Sequence, residues 1–212
     1  METINKIDKL INQAWEIYIG KVSNNLLEPE NEKVMQLQLA QILQTLTPLY
    51  EFTKDESIKV TLEEPKNIKN DIRRIIDIVI KHSIDNHLYS YPIELKCFRK
   101  YVRGSDTKKR GAQNIGMYDY WEDIENIEQY LKLENYIKSY HLAITDDEYY
   151  VRGSHKGEQT SVYSTNENIT KTGVLEAKIA NRYGRVELSN SYTCHWKQEN
   201  NYFFLLQKCE GV

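Results

Sequence analysis

Cysteine, proline and glycine are all scarce, at 3, 4 and 9 of 212 residues. Cys97, Cys194 and Cys209 are odd in number and show no CxxC spacing, so no disulfide framework is implied and a reducing compartment suits them. No apolar run approaches the ~18 residues of a membrane span. The N-terminal METINKIDKL lacks the apolar centre of a signal peptide, which leads to the expectation of a soluble, cytoplasmic protein without membrane contact. There is no P-loop and no GxGxxG, so those two nucleotide-binding devices are not supported. His82, His87, His141, His155 and His195 have no metal-ligand spacing, and Cys194 beside His195 lacks a second pair to complete a zinc site. A Cys194–His195 nucleophilic pair is disfavoured, because neighbours on a strand point to opposite faces. Nor is there a large excess of one charge. The net value of −3 predicts no polyanion binding from the whole-chain balance.

What is present suits a folded globule, with 40% hydrophobic and 28% charged residues. Residues 2–22 place Ile4, Ile7, Leu10, Ile11, Trp15, Ile17 and Tyr18 on a helical stripe. A second helix is predicted from near Asn31 to Pro48, with Val34, Leu37, Leu39 and Leu43 facing the core. The period then changes. SIKVTLEE (57–64), IRRIIDIVIK (72–81) and YPIELKCF (91–98) read as strands, with turns at 65–71 and 82–90. Pro92 suggests an edge strand or a strand beginning. A long helix over 112–140 and a strand over 141–146 follow. Residues 152–171 read as a long surface loop, and 152–212 as a β-rich extension of a single domain. The 16 tyrosines include DYW (119–121) and YY (149–150), which could stack on bases but more simply fill the core.

The chemistry lies in YPIELKCF. Alternation puts Glu94 and Lys96 on one face and Ile93, Leu95 and Cys97 on the other. The chain holds three other acid-x-Lys triplets, at Glu64, Asp106 and Glu176, so the triplet alone says little. Glu94 differs by its apolar strand and by the preceding strand RRIIDIVI, which carries one acid, Asp77. If the two strands pair, two carboxylates and a lysine converge. Two carboxylates can hold Mg²⁺ and leave positions open for a phosphate, and Lys96 can hold an attacking water or steady developing charge. The plain alternative is a half-exposed sheet with a surface ion pair. Behind the strand, Arg99, Lys100, Arg103, Lys108, Lys109 and Arg110 form a basic stretch suited to backbone phosphates, and Arg73 and Arg74 flank Asp77.

An acid in a strand, a hairpin, apolar-Glu-x-Lys, a long helix and another strand: over about residues 28–146 this order resembles the PD-(D/E)xK nuclease superfamily, which includes type II restriction endonucleases. The resemblance implies an α/β fold with a restriction endonuclease-like core, a central mixed β-sheet flanked by helices, carrying an N-terminal helix and the β-rich extension. It matches Asp77 and Glu94 to the two metal-binding acids and Lys96 to the lysine; Ile76 stands where many members have proline. Glu32 best matches an accessory acid on the preceding helix, with Glu28 and Glu30 as rivals, and Gln113 and Tyr118 match a pair found in some branches. The implied activity is Mg²⁺-dependent, or Mn²⁺-dependent, hydrolysis of DNA by a homodimer. A non-catalytic module binding nucleic acid or protein on the same fold is the alternative, and a structural subunit without an active site a further one.

Overall fold

A computed structural model describes residues 2–68, 72–102, 104–105, 107–154, 157 and 161–210. The chain forms α1 (Glu2–Ser23), α2 (Glu32–Leu46), β1 (Ser57–Asn67), β2 (Arg73–Ile84), β3 (His87–Phe98), α3 (Gln113–Tyr130), β4 (Lys138–Thr145), α4 (Tyr149–Arg152), β5 (Thr170–Ile179), β6 (Arg182–Thr193), β7 (Lys197–Glu199) and β8 (Tyr202–Glu210). Six strands make one mixed sheet in the order β1-β2-β3-β4-β8-β7, and β5-β6 is a separate hairpin. β3 and β4 are parallel, joined through α3, and every other pair is antiparallel. This is an α/β architecture with helices on both faces of the sheet. No helix among the described residues is long and apolar enough to cross a membrane.

Two apolar layers hold the sheet. On one face α1 and α2 bury Leu10, Trp15, Tyr18, Met35, Leu39 and Leu43 against Ile78, Ile80, Ile93, Leu95 and Leu142. On the other, α3 packs Met117, Trp121, Ile124 and Ile127 with Val79, Ala143, Leu205 and the β5–β6 hairpin. Of the stripe predicted for α1, Ile7, Leu10, Ile11, Trp15 and Tyr18 are buried and Ile17 is half-buried, while the Ile4 side chain lies outside the described ones. In α2 the buried apolar residues are Met35, Leu39, Ala40, Leu43 and Leu46, with Gln36 buried beside them, whereas Leu37 is exposed and Val34 half-buried. Asn31 caps α2, its side chain accepting from the Val34 N–H at 3.0 Å.

Several boundaries differ from the sequence expectation. β1 continues through Pro65 to Asn67, so the turn is shorter than 65–71. β2 and β3 also run on, meeting in a two-residue turn whose Asp85 and Asn86 both have positive φ, at 50° and 62°. Such a turn matches the twist of the flanking strands. Pro92 stands in an inner strand, not at an edge. Ser90 donates its N–H to Asn135 across the β4 side, so alternation turns the nitrogen of Pro92 the same way, just before the parallel ladder starts at Ile93 and Tyr140. α3 stops at Tyr130, ten residues short of the predicted 140, and Asn135 at φ 67° lies in the turn before β4. The supposed surface loop at 152–171 is anchored where described: Tyr163, Ser164 and Thr165 are buried, and the Tyr163 carbonyl accepts from Trp121 Nε1 at 3.1 Å. β8 lies beside β4 in the main sheet, so part of the presumed extension is integral to the core.

Candidate active site

The β2–β3 ladder fixes the site by ending. Its last pair toward the site is Ile78 with Ile93. The next residues are Asp77 and Glu94, and there the strands part. Asp77 fills the gap itself: its Oδ2 accepts the Leu95 N–H at 2.9 Å, where a ladder bond would otherwise run. Gln36 of α2 donates to the Asp77 carbonyl at 2.6 Å and holds the strand from the other side. The face carrying Glu94 and Lys96 is not a solvated one. It lies under α3, and Asp77 and Glu94 are only 8% and 6% exposed.

α3 supplies the remaining groups. The Tyr130 hydroxyl donates to Glu94 Oε1 at 2.5 Å. Asp123 Oδ2 stands 2.7 Å from Lys96 Nζ and 3.7 Å from His141 Nε2. Glu32, the first residue of α2, brings its Oε2 to 3.6 Å from Lys96 Nζ. Asp77, Glu94, Lys96, Glu32, Asp123, Tyr130, Arg73 and Arg74 all line a cleft of about 320 Å³.

Burial and crowding shape the charges. Burial raises the Asp77 carboxyl, against the pull of the Leu95 N–H. Glu94 is pushed well above its usual range, by burial first and then by the Asp123 and Asp77 charges. Burial also takes Glu32 up to about 7, with Lys96 opposing. Lys96 goes the other way for a buried amine: the desolvation that would lower it is outweighed by Asp123 and Glu32, so it stays a firm ammonium. Asp123 is held low despite burial by His141 and Lys96. The His141 ring is fully buried and its pKa is lowered by that burial.

The sequence-selected residues are thus distributed unevenly. Asp77, Glu94, Lys96 and Glu32 come together, while Glu28 lies outside and faces Arg99 at 3.9 Å. Gln113 lines an adjoining cleft that shares Glu32 and Lys96, and bonds the Arg110 carbonyl at 3.1 Å. Of the basic set, Arg73 and Arg74 line the first cleft, with Arg74 3.3 Å from Glu122. Arg99 and Arg110 line the second. Arg99 is also a structural pin, 2.9 Å from Asp146 and 2.6 Å from the Pro29 carbonyl. Lys100, Lys108 and Lys109 belong to a small hairpin and line neither cleft. Arg103 lies outside the described residues. Tyr118, Tyr120, Trp121 and Tyr150 are buried, as core residues are.

Sequence reasoning missed Asp123 and Tyr130. Both lie with Ile127 on one helical stripe at spacings of four and three, so an acid on the apolar side of α3 was the available signal. Among the described residues no group of three or more His, Cys, Asp or Glu side chains is arranged to hold a metal ion. Comparison with protein-family models, curated proteins and solved structures found no match.

Proposed function

We propose that the chain is a Mg²⁺-dependent nuclease hydrolysing DNA phosphodiesters, on a fold of the restriction endonuclease type. The observation that carries the reading is the placement of Asp77, Glu94 and Lys96 in one cleft at the point where two paired strands separate. The element order α2, antiparallel β1-β2-β3, α3 and parallel β4 supports it, being the order the sequence resemblance implies.

The donor chemistry fits a hard divalent cation. Asp77 and Glu94 each have one oxygen engaged by a donor, the Leu95 N–H and the Tyr130 hydroxyl respectively, which leaves a second oxygen on each for a cation. Mg²⁺ needs only one or two protein carboxylates, keeping water and phosphate oxygens for its other positions. When bound, such a cation supplies charge neutralisation at the phosphoryl oxygen and activation of water. Lys96, locked as an ammonium by Asp123, donates hydrogen bonds to the phosphate or the attacking water. Glu32, with a carboxyl near 7, is the group suited to accept a proton beside it. Arg73 and Arg74 at the cleft wall contact flanking phosphates.

The test is cleavage of plasmid DNA with Mg²⁺, Mn²⁺ or EDTA, wild type beside Lys96→Ala and Asp77→Ala. Metal-dependent cutting lost by at least 100-fold in both variants is expected, the scale of losing one essential electrostatic group. Full cutting by both folded variants refutes the site. A second reading, a binding module without chemistry, is favoured by one contact: Asp123 already occupies Lys96 at 2.7 Å. DNA binding with no cutting under any metal would select it.

A further inference from the structure

The β1–β2 ladder breaks at Asp77 too, on the side away from β3. Its pairs include Leu62 with Ile78 and Glu64 with Ile76, but the pair between them, Glu63 with Asp77, is missing. Glu63 has φ 55°, in the left-handed region that residues other than glycine and asparagine seldom enter. That backbone turn redirects the side chain. Paired residues share a face of the sheet, so in register Glu63 would lie beside Asp77, toward α3. Its carboxylate instead meets α2, where Oε1 accepts from Lys33 at 2.5 Å and from Gln36 at 2.6 Å.

Asp77 is thus outside the ladder toward both neighbouring strands, although β2 lies inside the sheet. A buried carbonyl needs a donor, and Gln36 supplies it. Gln36 stands one turn after Glu32, on the same side of α2, and is only 5% exposed. Its Nε2 gives one hydrogen to the Asp77 carbonyl and the other to Glu63, both at 2.6 Å. Both partners only accept, so the nitrogen end of the amide is the end that faces them. Neither Gln36 nor Glu63 lines the cleft, and Lys33 at the outer end of the chain of contacts reaches solvent. Without Gln36 the Asp77 carbonyl becomes a buried acceptor lacking a donor, relieved by rotation of that peptide or by closure of β1 into a regular ladder. Either change carries the Asp77 carboxylate with it.

We propose that Gln36 and Glu63 are positioning residues for the metal-binding acid. Together they hold the Asp77 peptide out of both ladders, so that its carboxylate reaches the Leu95 N–H with one oxygen and offers the other to a cation. The proposal rests on the nuclease reading, in which Asp77 is a ligand. Neither residue touches metal or substrate; each acts through the backbone of Asp77. The left-handed Glu63 is the strained position that this arrangement requires.

The experiment titrates Mn²⁺ into the full chain without nucleic acid and follows the free ion by electron paramagnetic resonance, with a thermal melt of every protein beside it. Wild type is compared with Asp77→Asn, Gln36→Met, Glu63→Gln and Glu63→Gly. Methionine keeps the length of Gln36 and lacks its donors, and is expected to bind Mn²⁺ about 10-fold more weakly, the scale of losing a group that orients a ligand. Glu63→Gly takes φ 55° without strain, so it should melt near wild type yet bind about 3-fold more weakly, the worth of one hydrogen bond. Glu63→Gln keeps an acceptor for Gln36 and should bind as wild type does. Wild-type affinity in a folded Gln36→Met overturns the proposal and leaves the nuclease reading intact; if that variant fails to fold, wild-type affinity in Glu63→Gly does the same. An equal loss in Glu63→Gln and Glu63→Gly assigns the effect to charge and also overturns it. Mn²⁺ binding absent from wild type, or undiminished in Asp77→Asn, overturns the metal site of the nuclease reading and this proposal with it.

Discussion

Glu128→Ala tests how the β5–β6 hairpin is fastened to α3. Glu128 is 4% exposed and faces the hairpin. Its Oε1 accepts from Asn190 N at 2.8 Å, Asn190 Nδ2 at 3.0 Å and the Tyr192 hydroxyl at 2.9 Å, and its Oε2 from Ser189 N at 2.7 Å. Truncation takes the carboxylate acceptor from two backbone N–H groups, the Asn190 amide and a hydroxyl beneath a helix. Each orphaned donor costs about 1–3 kcal/mol, but water entering the space recovers part, so a total of about 3–5 kcal/mol is expected. At about 2–4 °C per kcal/mol for a chain of this length, Tm should fall by roughly 6 to 20 °C. Glu128→Gln separates acceptor geometry from charge. Its carbonyl can serve the three donors at Oε1, while its amide nitrogen meets the Ser189 N–H donor to donor, so it should lose only about 1–2 kcal/mol. Thermal denaturation by circular dichroism at pH 7.5 reads both. An alanine variant melting within about 2 °C of wild type, or a glutamine variant as damaged as alanine, would refute the reasoning.

Glu94 should respond in the opposite sense. Its carboxyl lies above the usual 4.5, so the native state keeps a proton that the unfolded chain has already lost, and stability falls as pH rises from about 4.5 through the folded value. Glu94→Gln is therefore expected to melt about 2–6 °C above wild type at pH 8, to match it near pH 4, and to be inactive in cleavage; a lower Tm at pH 8 would contradict this. Glu56 predicts the acid limb. Burial alone would raise it, but Lys6 at 2.5 Å, the Phe52 N–H at 2.8 Å and His82 at 2.6 Å bring it to about 2. Its stabilisation is complete above about 4.5 and lost as pH falls toward 2, so pH-dependent melts of Glu56→Gln should show a shallower decline across that window. An unchanged acid limb would count against the Lys6–Glu56–His82 cluster.

The strands of the meander were legible because β-branched residues and alternation agree over 57–64, 72–81 and 91–98, and Ile93, Leu95 and Cys97 do face the layer of α1 and α2. The approach of Asp77 to Glu94 followed from pairing those strands. Asp123 was harder to see, since it stands among Asp119, Glu122, Glu125 and Glu128, and helical surfaces are commonly acidic. Only its angle on α3 distinguishes it. The end of that helix was misread because LKLENY holds no glycine or proline to mark a stop; the chain leaves the helix at Tyr130, and Tyr136 is buried just before β4 instead. Pro92 was read as an edge marker because the single-strand rule cannot say where a neighbour's ladder starts.

The turn at Asp85–Asn86 acts as a length standard for the chemistry. Ile84 pairs with His87 and the register is unbroken to Ile78 and Ile93. Asp77 and Glu94 therefore stand at equal counts along the two arms, and their meeting is decided at the far end of the hairpin. One residue added to a single arm would shift the register and exchange the faces of everything beyond it. Glu94 and Lys96 would turn toward the apolar layer of α1 and α2, and Leu95 toward Asp123. The hairpin tip can thus vary in composition at little cost to the site, while its residue count cannot vary by one.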